Sequence, residues 1–168
     1  MRTVKRIGRR FLTALLPALA GAAGAGQGRE MTVAGSSMAP TLLPGQKVFV
    51  DPGYYDGHPP ARGDLVALAF KTRERLMVKR VIALPGDRVE IRDGRLWRDG
   101  GALEEPYLAE PRLLAAKVGR LLALQLWRNG GRVPPGHVIV LGDNTAGSFD
   151  SGDYGSVSLD QIVGRVTP

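Results

Sequence analysis

Two side chains in this sequence could carry out covalent chemistry without a histidine or a metal. Ser37 lies in Gly35-Ser36-Ser37-Met38-Ala39-Pro40-Thr41-Leu42, a short turn that is polar at its centre. A serine beside glycine on a tight turn can expose its hydroxyl while nearby backbone N–H groups face an oxyanion. Gly-Ser-Ser is common in loops, so the turn alone says little. Lys79 is surrounded by Leu76, Met77, Val78, Val81, Ile82 and Ala83. By strand alternation such a lysine points to solvent. The other reading places its amine in an apolar interior. Burial without a carboxylate partner disfavours the ammonium and lowers its pKa from about 10.4. A neutral amine could then take the proton of a serine hydroxyl as a general base.

The elements that must position these residues read as short strands. Val48-Phe49-Val50 within Lys47–Asp51 is strand-like, and a Gly-, Pro- and Tyr-rich loop runs from Tyr54 to Arg62. Arg62-Gly63-Asp64 turns into the apolar run 65–70, and 76–83 is a further strand stopped by Pro85-Gly86. Residues 88–92 and 95–98 form a hairpin around Asp93-Gly94, a strong two-residue turn signal. The stretch 113–127 suits a helix or a strand pair equally. Val138–Leu141 leads into Gly142-Asp143-Asn144, and 162–166 is a closing strand. The expectation is a mainly β, antiparallel domain of Greek-key or partly closed barrel character.

Composition narrows the chemistry. The 168 residues include 23 Gly and 12 Pro, which favour turns, and a 43% hydrophobic share, enough for a core. There is no cysteine, which excludes disulfides, thiol nucleophiles and Cys-based metal sites. The two histidines, His58 and His137, sit in Gly/Pro-rich loops and give little support to a Ser-His-Asp triad. No metal or cofactor is expected.

The net charge is +7, and residues 1–10 supply five cations and no acid, leaving +2 for the remainder. That distribution argues against a nucleic-acid surface on the globular part and for a topogenic signal. Residues 11–26 are uncharged and apolar. As a helix they would span roughly 24 Å, short of a hydrocarbon core of about 30 Å. An uncleaved anchor and a removable secretory signal both fit, and either exports the domain. The organisation read here is a basic cytoplasmic tail over 1–10, an apolar segment over 11–26 and an extracytoplasmic domain over 31–168.

Four stretches in order resemble the signature boxes of the type I signal peptidases, membrane-bound serine proteases that use a Ser-Lys pair. They are Ser37–Leu42, Arg62–Val66, Lys79-Arg80-Val81 with Leu84–Asp87, and Gly142-Asp143-Asn144 with Ser148 and Asp150-Ser151. The resemblance runs from about Val33 to Arg165 and favours the anchor reading of 11–26. It implies Ser37 as nucleophile and Lys79 as general base. The Ser37 N–H would contribute to the oxyanion hole. Gly35 stands where some members carry a serine that adds a second donor. Ser148 would orient the lysine amine. Val33, Leu42, Met77 and Val78 would line shallow pockets that admit small side chains before the cut; plain core packing accounts for them equally. Arg80, Asp143 and Asp150 would support the site. Two positions depart from the pattern. Thr145 and Gly152 stand where arginines are usual, so Asp143 and Asp150 are expected to lean on Arg80.

The resemblance implies signal-peptide-bearing preproteins as substrates, membrane lipid as surroundings, the secretion translocon as a candidate partner, and the cell membrane as location, N-terminus cytoplasmic. Alternatives are a maturation peptidase of the conjugative-transfer type and an inactive anchored β domain that binds secretory partners. A self-cleaving repressor shares the chemistry but needs a DNA-binding domain in front, where this chain has a basic, apolar stretch.

Overall fold

The computed structural model describes residues 28–71, 73–92, 95–104 and 120–168. The basic tail and apolar segment over 1–26, the Asp93-Gly94 turn and residues 113–119 lie outside them. No helix among the described residues is long and apolar enough to cross a membrane.

The fold is mainly β. Strands β1 (Arg29–Thr32), β2 (Lys47–Asp51), β3 (Leu65–Leu68), β4 (Met77–Ala83), β8 (His137–Leu141), β9 (Val157–Ser158) and β10 (Ile162–Thr167) form one sheet in the order β1-β2-β10-β3-β4-β8-β9. Each pairing is antiparallel. The order has two ends, β1 and β9, so the sheet does not close into a barrel. Strands β5 (Val89–Arg92), β6 (Arg95–Arg98) and β7 (Gly101–Ala102) form a second, smaller sheet. Pairing of Arg92 with Arg95 leaves two residues to connect β5 and β6, as the Asp-Gly signal requires. The ambiguous stretch ends in helix α1 (Arg120–Arg128). Leu122 and Leu126, one helical turn apart, pack with Val89, Leu96, Ile139 and Leu141. A one-turn helix, α2 (Ser151–Tyr154), follows β8.

Burial patterns explain why two strands lack a polar face. In β2, Val48 and Val50 are buried while Lys47 and Phe49 are exposed, the period-two pattern of a strand with one wet face. In β3 every residue is buried, and in β4 every residue after Met77. Both strands are central, β3 between β10 and β4, and β4 between β3 and β8. One apolar cluster contains Val48, Val50, Ala67, Val78 and Val166, and a second contains Val66, Leu68, Val81, Val138 and Val140. Members of β3 alternate between the two, so the clusters cover opposite faces. Each valine or leucine among them contributes about 1.5–3 kcal/mol of transfer free energy on burial. A polar residue in the middle of β4 therefore has no solvent face to turn to.

Candidate active site

Lys79 occupies such a position and is 2% exposed. The alternation argument fails for it because it assumes one wet face. Its Nζ lies 2.9 Å from Ser37 Oγ and 3.0 Å from the Val78 carbonyl oxygen. The 2.9 Å separation serves either direction of hydrogen bonding. A charged amine donates to the hydroxyl oxygen, and a hydroxyl donates to a neutral amine.

Ser37 stands on the turn between β1 and β2, partly exposed beside the exposed Ser36. Its neighbour Met38 is 1% exposed and anchors the turn in the apolar cluster beneath. Within the turn, Ala39 N donates to Ser36 O and Leu42 N to Met38 O. From outside, Asn144 N donates to Ser37 O at 3.1 Å, and Asn144 Nδ2 to Ser36 O at 3.2 Å. The segment after β8 thus grips the serine turn by its carbonyls and leaves the hydroxyl toward Lys79.

Gly142 allows that grip. A Cβ there would stand 2.4 Å from Ser37 O and 2.2 Å from Ser148 Oγ, distances that real side chains do not reach. Ser148, which is buried, therefore packs on the same glycine that the Ser37 carbonyl approaches.

The supporting charges divide the work. Arg80, next to Lys79 on β4, donates from Nε to Asp143 Oδ1 at 2.8 Å and from Nη2 to Asp143 Oδ2 at 2.6 Å. Its Nη1 reaches Gly63 O, which fixes the Arg62-Gly63-Asp64 turn to β4. Asp143 is 0% exposed and also accepts from Thr41 Oγ1, so one carboxylate ties β4 to the serine turn. Asp150 uses backbone donors: Gly142 N at 3.0 Å and Gly152 N at 3.1 Å. It caps α2, with Asp153 returning the bond to the Asp150 N–H. Of the two carboxylates expected to lean on Arg80, Asp143 does so. Asp143 forms the bidentate ion pair, while Asp150 organises the backbone on both sides of Ser148. Gly152, buried inside α2, supplies one of those donors. Nearby, burial and the Asp64 carboxylate push the Tyr55 phenol well above its ordinary value, and its hydroxyl donates to Asp64.

A cleft of about 840 Å³ opens over Ser37 and Lys79. Val33, Met77, Val78 and Gly35 line it. Leu42, expected among the pocket residues, is 0% exposed and lies in the cluster beneath, with Val33 and Val78. Its motif position was legible but not its depth. Sequence reasoning also missed Thr41 and the two Asn144 contacts. Both residues lie inside the motifs already singled out, and their polarity was the available signal.

A family model described as "Signal peptidase, peptidase S26" matches residues 4–168. Signal peptidase I of Bacillus caldolyticus is 40% identical over 136 residues, 80% of this chain and 74% of that protein. Probable signal peptidase I-1 of Synechocystis is 37% identical over 139 residues, 77% of this chain and 64% of that protein. A crystal structure of a signal peptidase I from Enterococcus faecalis V583 superposes with a TM-score of 0.49 at 32% identity, covering 64% of this chain and 97% of that one. Because the family model matches nearly the whole length of this chain, the chain belongs to the signal peptidase family, peptidase S26.

Proposed function

We propose that this protein is a membrane-bound serine endopeptidase that removes signal peptides from exported preproteins after small residues. The observation that carries the reading is the 2.9 Å approach of a 2% exposed lysine amine to a partly exposed serine hydroxyl. Removal from water disfavours an ammonium relative to the neutral amine, and the neutral amine is what a base requires. Lys79 Nζ takes the Ser37 proton as Oγ attacks the scissile carbonyl. The Ser37 N–H, with Gly35 beside it, holds the oxyanion. The protonated Lys79 then passes its proton to the departing amine, leaving an acyl-enzyme on Ser37. Water, deprotonated by Lys79, releases the signal peptide. Ser148 orients the amine. Arg80, Asp143 and Asp150 keep the three chain segments in register. Val33, Met77 and Val78 form shallow walls that admit small side chains and exclude large ones by overlap, with Leu42 as their floor.

The same reading assigns residues 31–168 to the peptidase domain, in a fold of the signal-peptidase and self-cleaving-repressor type, and 11–26 to a membrane anchor. Five cations precede that anchor and hold the N-terminus in the cytoplasm, so the domain faces outward. Only about ten residues then separate the anchor from Ser37, at most roughly 35 Å of extended chain. The site therefore sits close to the bilayer, where a preprotein still held in the membrane presents its cut. The test is cleavage of a model preprotein by the detergent-solubilised full chain. Wild type should release the mature protein, and Ser37→Ala should not. Cleavage by Ser37→Ala at the wild-type rate would overturn the reading.

A further inference from the structure

Phe149 takes no part in the serine and lysine chemistry, yet it lines the cleft and is 49% exposed. The ring is held in place. Its chain neighbours Ser148 and Asp150 are both buried, and Asp150 is fixed by two backbone donors. Behind it lies Tyr154, with ring centroids 5.3 Å apart, and Tyr154 in turn rests on Phe70 at 5.1 Å. The Arg73 guanidinium carbon stands 4.9 Å from the Phe149 centroid, a cation–π distance. The guanidinium keeps its N–H donors in its own plane, and the ring does not consume them as a carboxylate would. Arg73 itself lines the cleft, as do Arg29, Arg75 and the acidic Glu74. Three cations to one carboxylate make this part of the cleft attractive to negative charge. The apolar walls at Val33 and Val78 have no use for such a field.

We propose that Phe149 and Arg73 form a subsite for an acidic side chain of the preprotein near the cut, a specificity determinant separate from the small-residue pockets. It rests on the peptidase reading above. Phe149 supplies the seat and Arg73 the donor pair that a carboxylate accepts. Arg29 and Arg75 add to the local potential.

The test uses the full chain in neutral detergent, which presents no anionic headgroups. Peptides share small residues before the cut and carry Glu, Gln or Lys at each nearby position in turn. At one position the Glu peptide should exceed its Gln counterpart in kcat/KM by about three- to tenfold, chiefly through KM. Arg73→Gln should bring that ratio close to one. Arg73→Glu should turn the preference toward Lys. Phe149→Ala should weaken the preference, and Phe149→Tyr should keep it. A ratio near one at every position in wild type, with cleavage still dependent on Ser37, overturns the subsite and leaves the peptidase reading intact. A preference untouched by Arg73→Gln overturns it too. An Arg73 effect that emerges only in anionic vesicles, equally for all peptides, assigns the arginine to lipid instead. Absence of any Ser37-dependent cleavage removes the peptidase reading and the subsite with it.

Discussion

Lys79 and Arg80 follow one another on β4, and both are buried. Both reach toward the serine turn, but through different partners. Arg80 meets a carboxylate in bidentate geometry, and Asp143 also joins Thr41 of the serine turn. Lys79 meets a hydroxyl oxygen and a backbone carbonyl. An arginine keeps its charge under any ordinary condition and suits a permanent clamp. A lysine changes its protonation state when desolvated and suits a base. On the proposed peptidase reading, adjacent cations serve architecture and chemistry by differing in which partner each is given.

Substitution at the two positions separates these roles. Ser37→Ala and Lys79→Ala should each lower cleavage at least about a thousandfold. Lys79→Arg should be equally inactive, because a guanidinium does not give up its proton. Yet Lys79→Met should leave thermal stability unchanged or raised, since a buried amine gives way to an apolar chain of similar length. If Lys79→Met cleaves, or if it unfolds the domain, the division of labour drawn here is wrong. Asp143→Asn should show the opposite profile. It leaves Arg80 buried beside a neutral partner and should cost about 3–5 kcal/mol in denaturant unfolding. A loss under 1 kcal/mol there would mean that Arg80 finds compensation elsewhere.

Smaller effects sharpen the picture. Gly142→Ala forces a methyl against Ser37 O and Ser148, and should cost about 1–3 kcal/mol together with a fall in kcat. Wild-type kcat in that variant would show that the serine turn tolerates displacement. Asp150→Ala removes the α2 cap and the acceptor of Gly142 N, an expected loss of about 1–3 kcal/mol by thermal melt. Arg62 pairs with Asp87 and Asp99 at the surface, where its side chain is 39% exposed. Arg62→Gln should cost under about 1 kcal/mol and less at high salt. A salt-insensitive loss would show that Arg62 contributes through packing rather than charge.

Much of this arrangement was legible in the amino-acid order. The turn at Ser37, the apolar frame of Lys79 and the Gly142-Asp143-Asn144 run are local patterns, and local patterns survive folding. The β5–β6 hairpin was readable because its turn chemistry dictates its register. What was not legible depends on long-range neighbours. Alternation suggested a wet face for Lys79, but a strand paired on both sides and covered on both faces has none. The short strands β1, β7 and β9 carry too few residues to show a period. The open sheet could not be told from a partly closed barrel, because that depends on whether the end strands meet. The backbone donors on Asp150 had no signature, since the missing arginine drew attention to charge and not to capping.

The position of β10 has a consequence for when the enzyme becomes active. It lies between β2 and β3, so it joins the β1–β2 pair to the β3-β4-β8-β9 group. Ser37 belongs to the first group's loop and Lys79 to the second group's central strand. A ribosome makes both residues well before Ile162–Thr167. Until that strand is inserted, Ser37 and Lys79 stand on two groups of strands that no strand pairing among the described residues joins, and the contacts of the serine turn with Lys79, Asp143 and Asn144 link them. The chain should therefore become competent for cleavage only once its closing strand is in place. A chain ending before Ile162 keeps every residue of the dyad and should cleave nothing; activity in it would show that the two pieces find each other unaided.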